Sequence, residues 1–73
     1  MTVVDVKLEH GMSDFTLRSL TLSPVECVFV HEVGRPGALT SGLTELDALA
    51  AFRWGYAFIR NIDQSEVELR VCD

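Results

Sequence analysis

TELDALAAFRWGYAFIRN, residues Thr44 to Asn61, is the stretch on which the fold turns. Thr44 offers a hydroxyl as N-cap, Glu45 and Asp47 put negative charge in a first turn, and Arg60 and Asn61 close the far end. Each complements the helix dipole or an unpaired backbone group, so the stretch predicts a helix about 26 Å long at ~1.5 Å per residue. At about 100° per residue, Ala48, Leu49, Phe52, Gly55, Tyr56 and Ile59 share one face. That face predicts contact with a sheet, with Gly55 allowing close approach. Trp54 and Phe58, four apart and therefore neighbours, fall well to one side, with Ala51 between the two groups. Arg53, Arg60 and Leu46 form the remaining stripe. The apolar arc spans roughly 200°, whereas a helix lying on one sheet needs only a little over about 100°.

The flanking sequence predicts that sheet. In TVVDVKLE, Val4, Val6 and Leu8 alternate with Asp5, Lys7 and Glu9, the period of a half-buried strand, and His10 to Ser13 reads as a turn. A second strand is predicted from Asp14 to about Leu22, with a bulge near Arg18 and Ser19 to bring Phe15 and Leu17 into phase with Leu20 and Leu22. ECVFVHEV predicts a third strand that is apolar on both faces, hence central or covered. GRPGALTSG, with three glycines and a proline, predicts the end of regular structure. SEVELRVC alternates Val67, Leu69 and Val71 against Glu66, Glu68 and Arg70 and predicts a fourth strand. The expected fold class is therefore α+β, a single small domain over 1–73 in the order β-β-β-α-β: a four-stranded, mainly antiparallel sheet with one helix on one face. Short turns predict a meander of the first three strands, and a helical crossover can return strand four beside strand one or strand three, strand one being preferred, which makes that pair parallel.

Composition narrows the function. The 73 residues suit one domain, and 48% hydrophobic content is enough to fold. Six basic and eleven acidic residues give a net charge of −5. Nucleic-acid binding needs a concentrated field of Lys and Arg, so no direct nucleic-acid binding is expected, and a protein partner with a basic surface suits the balance better. No apolar run approaches the roughly 20 residues that span a bilayer, and MTVVDVKLEH lacks the basic and apolar regions of a signal peptide. The expectation is a soluble cytoplasmic protein with reduced Cys27 and Cys72.

Chemistry-bearing motifs are not found. His10, His31, Glu32, Cys27 and Cys72 lack zinc-ligand spacing. Cys27 and His31 share a strand face, but about 13 Å of extended backbone separates them, too far for a nucleophile–base hydrogen bond. The glycines of GRPGALTSG do not form a phosphate loop. No catalytic, cofactor-binding or metal-ligating residue is assigned, and the expectation is a protein that is not an enzyme.

Two surfaces are candidate partner sites. On the helix, Trp54 and Phe58 with Ala51 and Asp47 form an apolar patch that a single sheet cannot bury together with the core face, and large aromatic side chains dominate interface energetics. The competing reading has the preceding loop fold over them through Pro36, Ala38, Leu39 and Leu43. On the sheet, Asp5, Glu9, Glu66 and Glu68 form an acidic face, joined by Glu26 and Glu32 if Val28 and Val30 point outward. That face is either a platform for a basic surface or a solvated face with cross-strand ion pairs. The expected function is a small interaction module that occupies a partner protein's surface, with a homodimer through Trp54 and Phe58 as the alternative. In size and charge, though in no motif, the chain resembles the stand-alone inhibitors that phages and mobile elements encode, anti-CRISPR proteins among them. The resemblance implies a host nucleic-acid-binding protein as target.

Overall fold

The computed structural model describes residues 1–13, 25–37 and 39–72. Four strands and one helix occur among them: β1 (Thr2–Ser13), β2 (Val25–Glu32), β3 (Thr40–Gly42), α1 (Glu45–Arg60) and β4 (Val67–Val71), with a 3-10 turn at Gln64–Glu66. The strands form one sheet in the order β3-β2-β1-β4. Pairing is antiparallel for β1 with β2 and for β2 with β3, and parallel for β1 with β4. The order β-β-β-α-β and the parallel return of β4 beside β1 are as the sequence predicts, while the sheet is mixed rather than mainly antiparallel.

The strands behind that order differ from the expected ones. The predicted strand at Asp14–Leu22, with its bulge, lies outside the described residues. β1 runs through the expected turn at His10–Ser13, because the whole segment from Val6 to Ser13 finds antiparallel partners from Glu32 back to Val25. Gly11 serves that pairing: a Cβ there would stand 2.9 Å from Cε2 of Phe29, so the missing side chain makes room for the ring across the ladder. The third strand signal is β2 and pairs directly with β1. The GRPGALTSG segment does not end regular structure throughout, since Thr40–Gly42 pairs with Val28–Val30 as the edge strand β3.

The helix caps form as the sequence predicts. Thr44 Oγ1 accepts the Asp47 N–H at 3.1 Å, and Asn61, left-handed at φ 56°, donates its N–H to the carbonyls of Ala57 and Phe58. One face of α1 covers one face of the sheet. Val4, Val6, Val28, Val30, Ala48, Phe52, Ala57 and Val67 make a single buried cluster, flanked by Leu8, Leu49, Tyr56, Ile62 and Leu69. Val28 and Val30 therefore point towards the helix, and Glu26 and Glu32, on the same strand face, do not join an outer acidic face.

Two residues depart from their expected burial: Ile59 is 82% exposed and Val71 46% exposed, while Ala57, assigned to no face by the sequence, is buried at 2%. The left-handed turn at Asn61 folds the chain back so that the Ile62 N–H donates to the Ala57 carbonyl at 3.0 Å, bringing Ile62 rather than Ile59 into the core. Val71 is the last residue of β4, the strand at the sheet edge.

Close approach between helix and sheet occurs at Gly42, not at Gly55. A Cβ on Gly42 would stand 2.6 Å from the Ala48 nitrogen and 2.9 Å from the Asp47 Cβ, whereas one on Gly55 would meet nothing within 4 Å. Gly42→Ala should therefore cost about 1–3 kcal/mol by overpacking. Gly55→Ala should gain up to ~1 kcal/mol of helix propensity. Thermal melting of the two variants beside the parent checks both signs.

Candidate interaction surface

The i, i+4 spacing of Trp54 and Phe58 on a capped helix brings their rings together. Their centroids are 5.4 Å apart and their planes 11° from parallel. The pair is not covered: Trp54 is 57% and Phe58 73% exposed. Asp47, Ala50 and Ala51 are exposed alongside, as is Leu46. The loop does not fold over them. Leu39 lies on the other flank, where it lines a small apolar cavity of about 140 Å³ with Thr40, Phe52, Gly55, Tyr56 and Ile59. Leu43 lines a separate cleft with His10 and Glu45, Pro36 is exposed, and Ala38 is outside the described residues.

At the C-terminal end of the helix the aromatic pair borders a cleft of about 300 Å³ lined by Trp54, Ala57, Phe58, Ile62, Asp63 and Gln64. Asp63 caps the 3-10 turn, its Oδ1 accepting the Ser65 N–H at 2.9 Å. The backbone and hydroxyl hydrogen bonds from Ser65 hold its carboxyl below the usual carboxylate range, so it is ionised at neutral pH. Ile62, Asp63 and Gln64 are not among the sequence-predicted site residues. The signal for them is the Asp-x-Ser spacing of Asp63 and Ser65, which marks a capped turn directly after the helix.

Of the predicted acidic residues on the sheet, two are engaged by neighbouring strands. The Arg70 Nε donates to Asp5 Oδ1 at 2.6 Å and its second terminal nitrogen to Oδ2 at 3.0 Å, a bidentate pair across the parallel β1–β4 register. These hydrogen bonds lower the Asp5 pKa and raise that of Arg70. Glu9 Oε2 lies 2.9 Å from His31 Nε2 across the β1–β2 pair, in contact but without the alignment of a hydrogen bond. Glu68 stands opposite exposed Val3, and Glu66 lies in the 3-10 turn rather than on the sheet. Asp5, Glu9 and Glu68 alternate onto the sheet face away from the helix, and Glu66 precedes β4 in the turn. Asp47 is on the helix, near its N-terminal end.

Among the described residues no three of His, Cys, Asp and Glu come together as metal ligands, and no helix is long and apolar enough to cross a membrane. Cys27 is buried and Cys72 half-buried, both as free thiols. Compared with known proteins, the chain matches no family model, no curated protein and no solved structure.

Exposure separates the helix's aromatic residues. Trp54→Ala should change the melting temperature little, because its ring is largely in water already, while Phe52→Ala, at 1% exposure, should cost about 3–5 kcal/mol. Circular-dichroism melts of the two variants test this.

The Asp5–Arg70 pair gives a pH dependence. Asp5 has a folded pKa below its unfolded value of about 4, so the stability it contributes is fully present above about pH 4 and is lost as pH falls through the lowered pKa. Asp5→Asn should be less stable than the parent at neutral pH, and the difference should close on acidification. Denaturant titrations at several pH values measure it.

Proposed function

We propose that the protein is a non-enzymatic interaction module whose outward helix face occupies a surface on a partner protein. The observation that carries this reading is the stacked Trp54–Phe58 pair standing largely in water. Burying a large apolar side chain is worth about 1.5–3 kcal/mol, and this fold leaves that gain unrealised at two adjacent positions. Trp at the centre of an apolar patch is the commonest interface hot spot, and Ala50 and Ala51 beside it leave room for a partner's side chains. The sheet carboxylates contribute less to this reading, since Asp5 is already paired with Arg70 and Glu9 lies against His31.

The most concrete version is a stand-alone inhibitor of the phage or mobile-element type that blocks a host nucleic-acid-binding protein. Small size and the net charge of −5 support it, because a surface built to hold phosphates attracts an acidic competitor. The alternative is a homodimer in which two such helix faces meet about a two-fold axis.

Immobilised protein should capture a stoichiometric partner from a bacterial lysate, and folded Trp54→Ala and Phe58→Ala variants should lose it, a hot-spot truncation costing about 2 kcal/mol or more, on the order of thirtyfold in affinity. Equal capture by parent and variants would defeat the proposal. Light scattering that shows a dimer in the parent and a monomer in Trp54→Ala would select the alternative.

A further inference from the structure

The cleft at the C-terminal end of the helix narrows the chemistry of the partner. We infer that the cleft lined by Trp54, Ala57, Phe58, Ile62, Asp63 and Gln64 is a binding site for an arginine or lysine side chain presented by a basic partner protein. The inference rests on the reading that the outward helix face is an interaction surface, and it adds what that surface recognises.

Three independent features of the cleft favour a cation. Trp54 and Phe58 offer aromatic surface, and the negative face of a π-system attracts guanidinium and ammonium groups, indole most strongly. Asp63 supplies a full negative charge that its bonds to Ser65 keep ionised. The Ser65 N–H donates to Oδ1 at 2.9 Å and fixes the group's orientation beside the aromatic pair. The cleft also lies at the helix end where the backbone dipole is negative.

Among the described residues no basic side chain lines the cleft. Arg60, the basic residue of the last helical turn, sits instead over the Tyr56 ring at 4.6 Å. Among the described residues, then, Arg60 makes a cation–π contact with Tyr56, while the larger aromatic pair, with a carboxylate beside it, has no cation on it. Exposed Glu66 follows one turn along, and the net charge of −5 attracts a basic surface from a distance. An apolar partner would leave the Asp63 carboxylate desolvated and unpaired, and an acidic one would be repelled.

Trp54 is the only tryptophan in the chain, so its fluorescence reports this site alone. The probes are a hexa-arginine amide peptide and its hexa-citrulline counterpart, which keeps the planar shape but replaces one terminal nitrogen donor with a carbonyl oxygen and carries no charge. Hexa-arginine should give a saturable change in Trp54 emission that weakens as salt rises, and hexa-citrulline should give none. Asp63→Asn keeps the turn cap, since Asn caps as well as Asp, and removes only the charge. It should weaken hexa-arginine binding about fivefold, the upper end for an exposed charge pair. Glu45→Gln makes the same change in net charge at the other end of the helix and should weaken it less than about twofold. Equal loss in the two variants, equal binding of both peptides, or hexa-arginine binding that leaves Trp54 emission unchanged would overturn the cation site while leaving the helix face as an interaction surface. Emission that responds to protein concentration but not to peptide would identify a second copy of this chain as the occupant, and would also overturn it. Emission from the free protein at the short wavelength of a buried indole would overturn the interaction surface itself.

Discussion

Phe52 holds the two layers together. It is the one large side chain of the helix that is fully buried, at 1% exposure, and it shares a cluster with Val6 and Val30, both at 0%. Much else follows from its placement. The edge strand β3 is held under the first helical turns by the Thr40 hydroxyl, which donates to the Ala48 carbonyl at 3.2 Å, and by the missing side chain at Gly42. The C-terminal reversal then brings Ile62 and the 3-10 turn against the helix end, and β4 runs beside β1. The described residues supply one helix for one sheet, and a helix packed on a sheet covers only its own inner stripe. The outer side of α1 is thus left uncovered by the same geometry that builds the core.

What stands on that outer side is informative because it need not be apolar. Polar residues there would cost the fold nothing, and Asp47 and Arg53 show that they fit. Two stacked aromatic rings, flanked by Ala50 and Ala51, are a contact surface whose burial the described residues do not supply. The charges are distributed to match. Asp5 is satisfied by Arg70 and Glu9 lies against His31, so those carboxylates tie neighbouring strands to β1. The helix carries two acidic and two basic residues and is electrically balanced. Asp63 and Glu66 stand past its C-terminal end, and Asp63 lines the cleft beside the aromatic pair.

The sequence by itself determined the helix and both of its caps, because Thr44, Asp47 and Asn61 act through local hydrogen bonds that need no tertiary partner. It determined the alternating strands at Val4–Leu8 and Val67–Val71, the fold class, and the excess of apolar side chains around α1, all of which depend on periodicity alone. Trp54 and Phe58 were legible for the same reason. Only the tertiary structure decided which strands pair. The length of β1 depends on the ladder offered by Val25–Glu32, and the three residues of β3 are too short and too rich in small polar residues to signal a strand before β2 supplies an edge. Ile59 lost its place in the core to Ile62 because a left-handed residue at Asn61 turned the chain back, a long-range consequence of one backbone angle. The pairing of Asp5 with Arg70 was hidden for a similar reason: alternation assigns a residue to a side of a strand, but the partner across the register decides whether its charge is free. The cleft beside Trp54 was hidden in the same way, since its wall comes from Ile62, Asp63 and Gln64, which meet the helix only after that turn has closed.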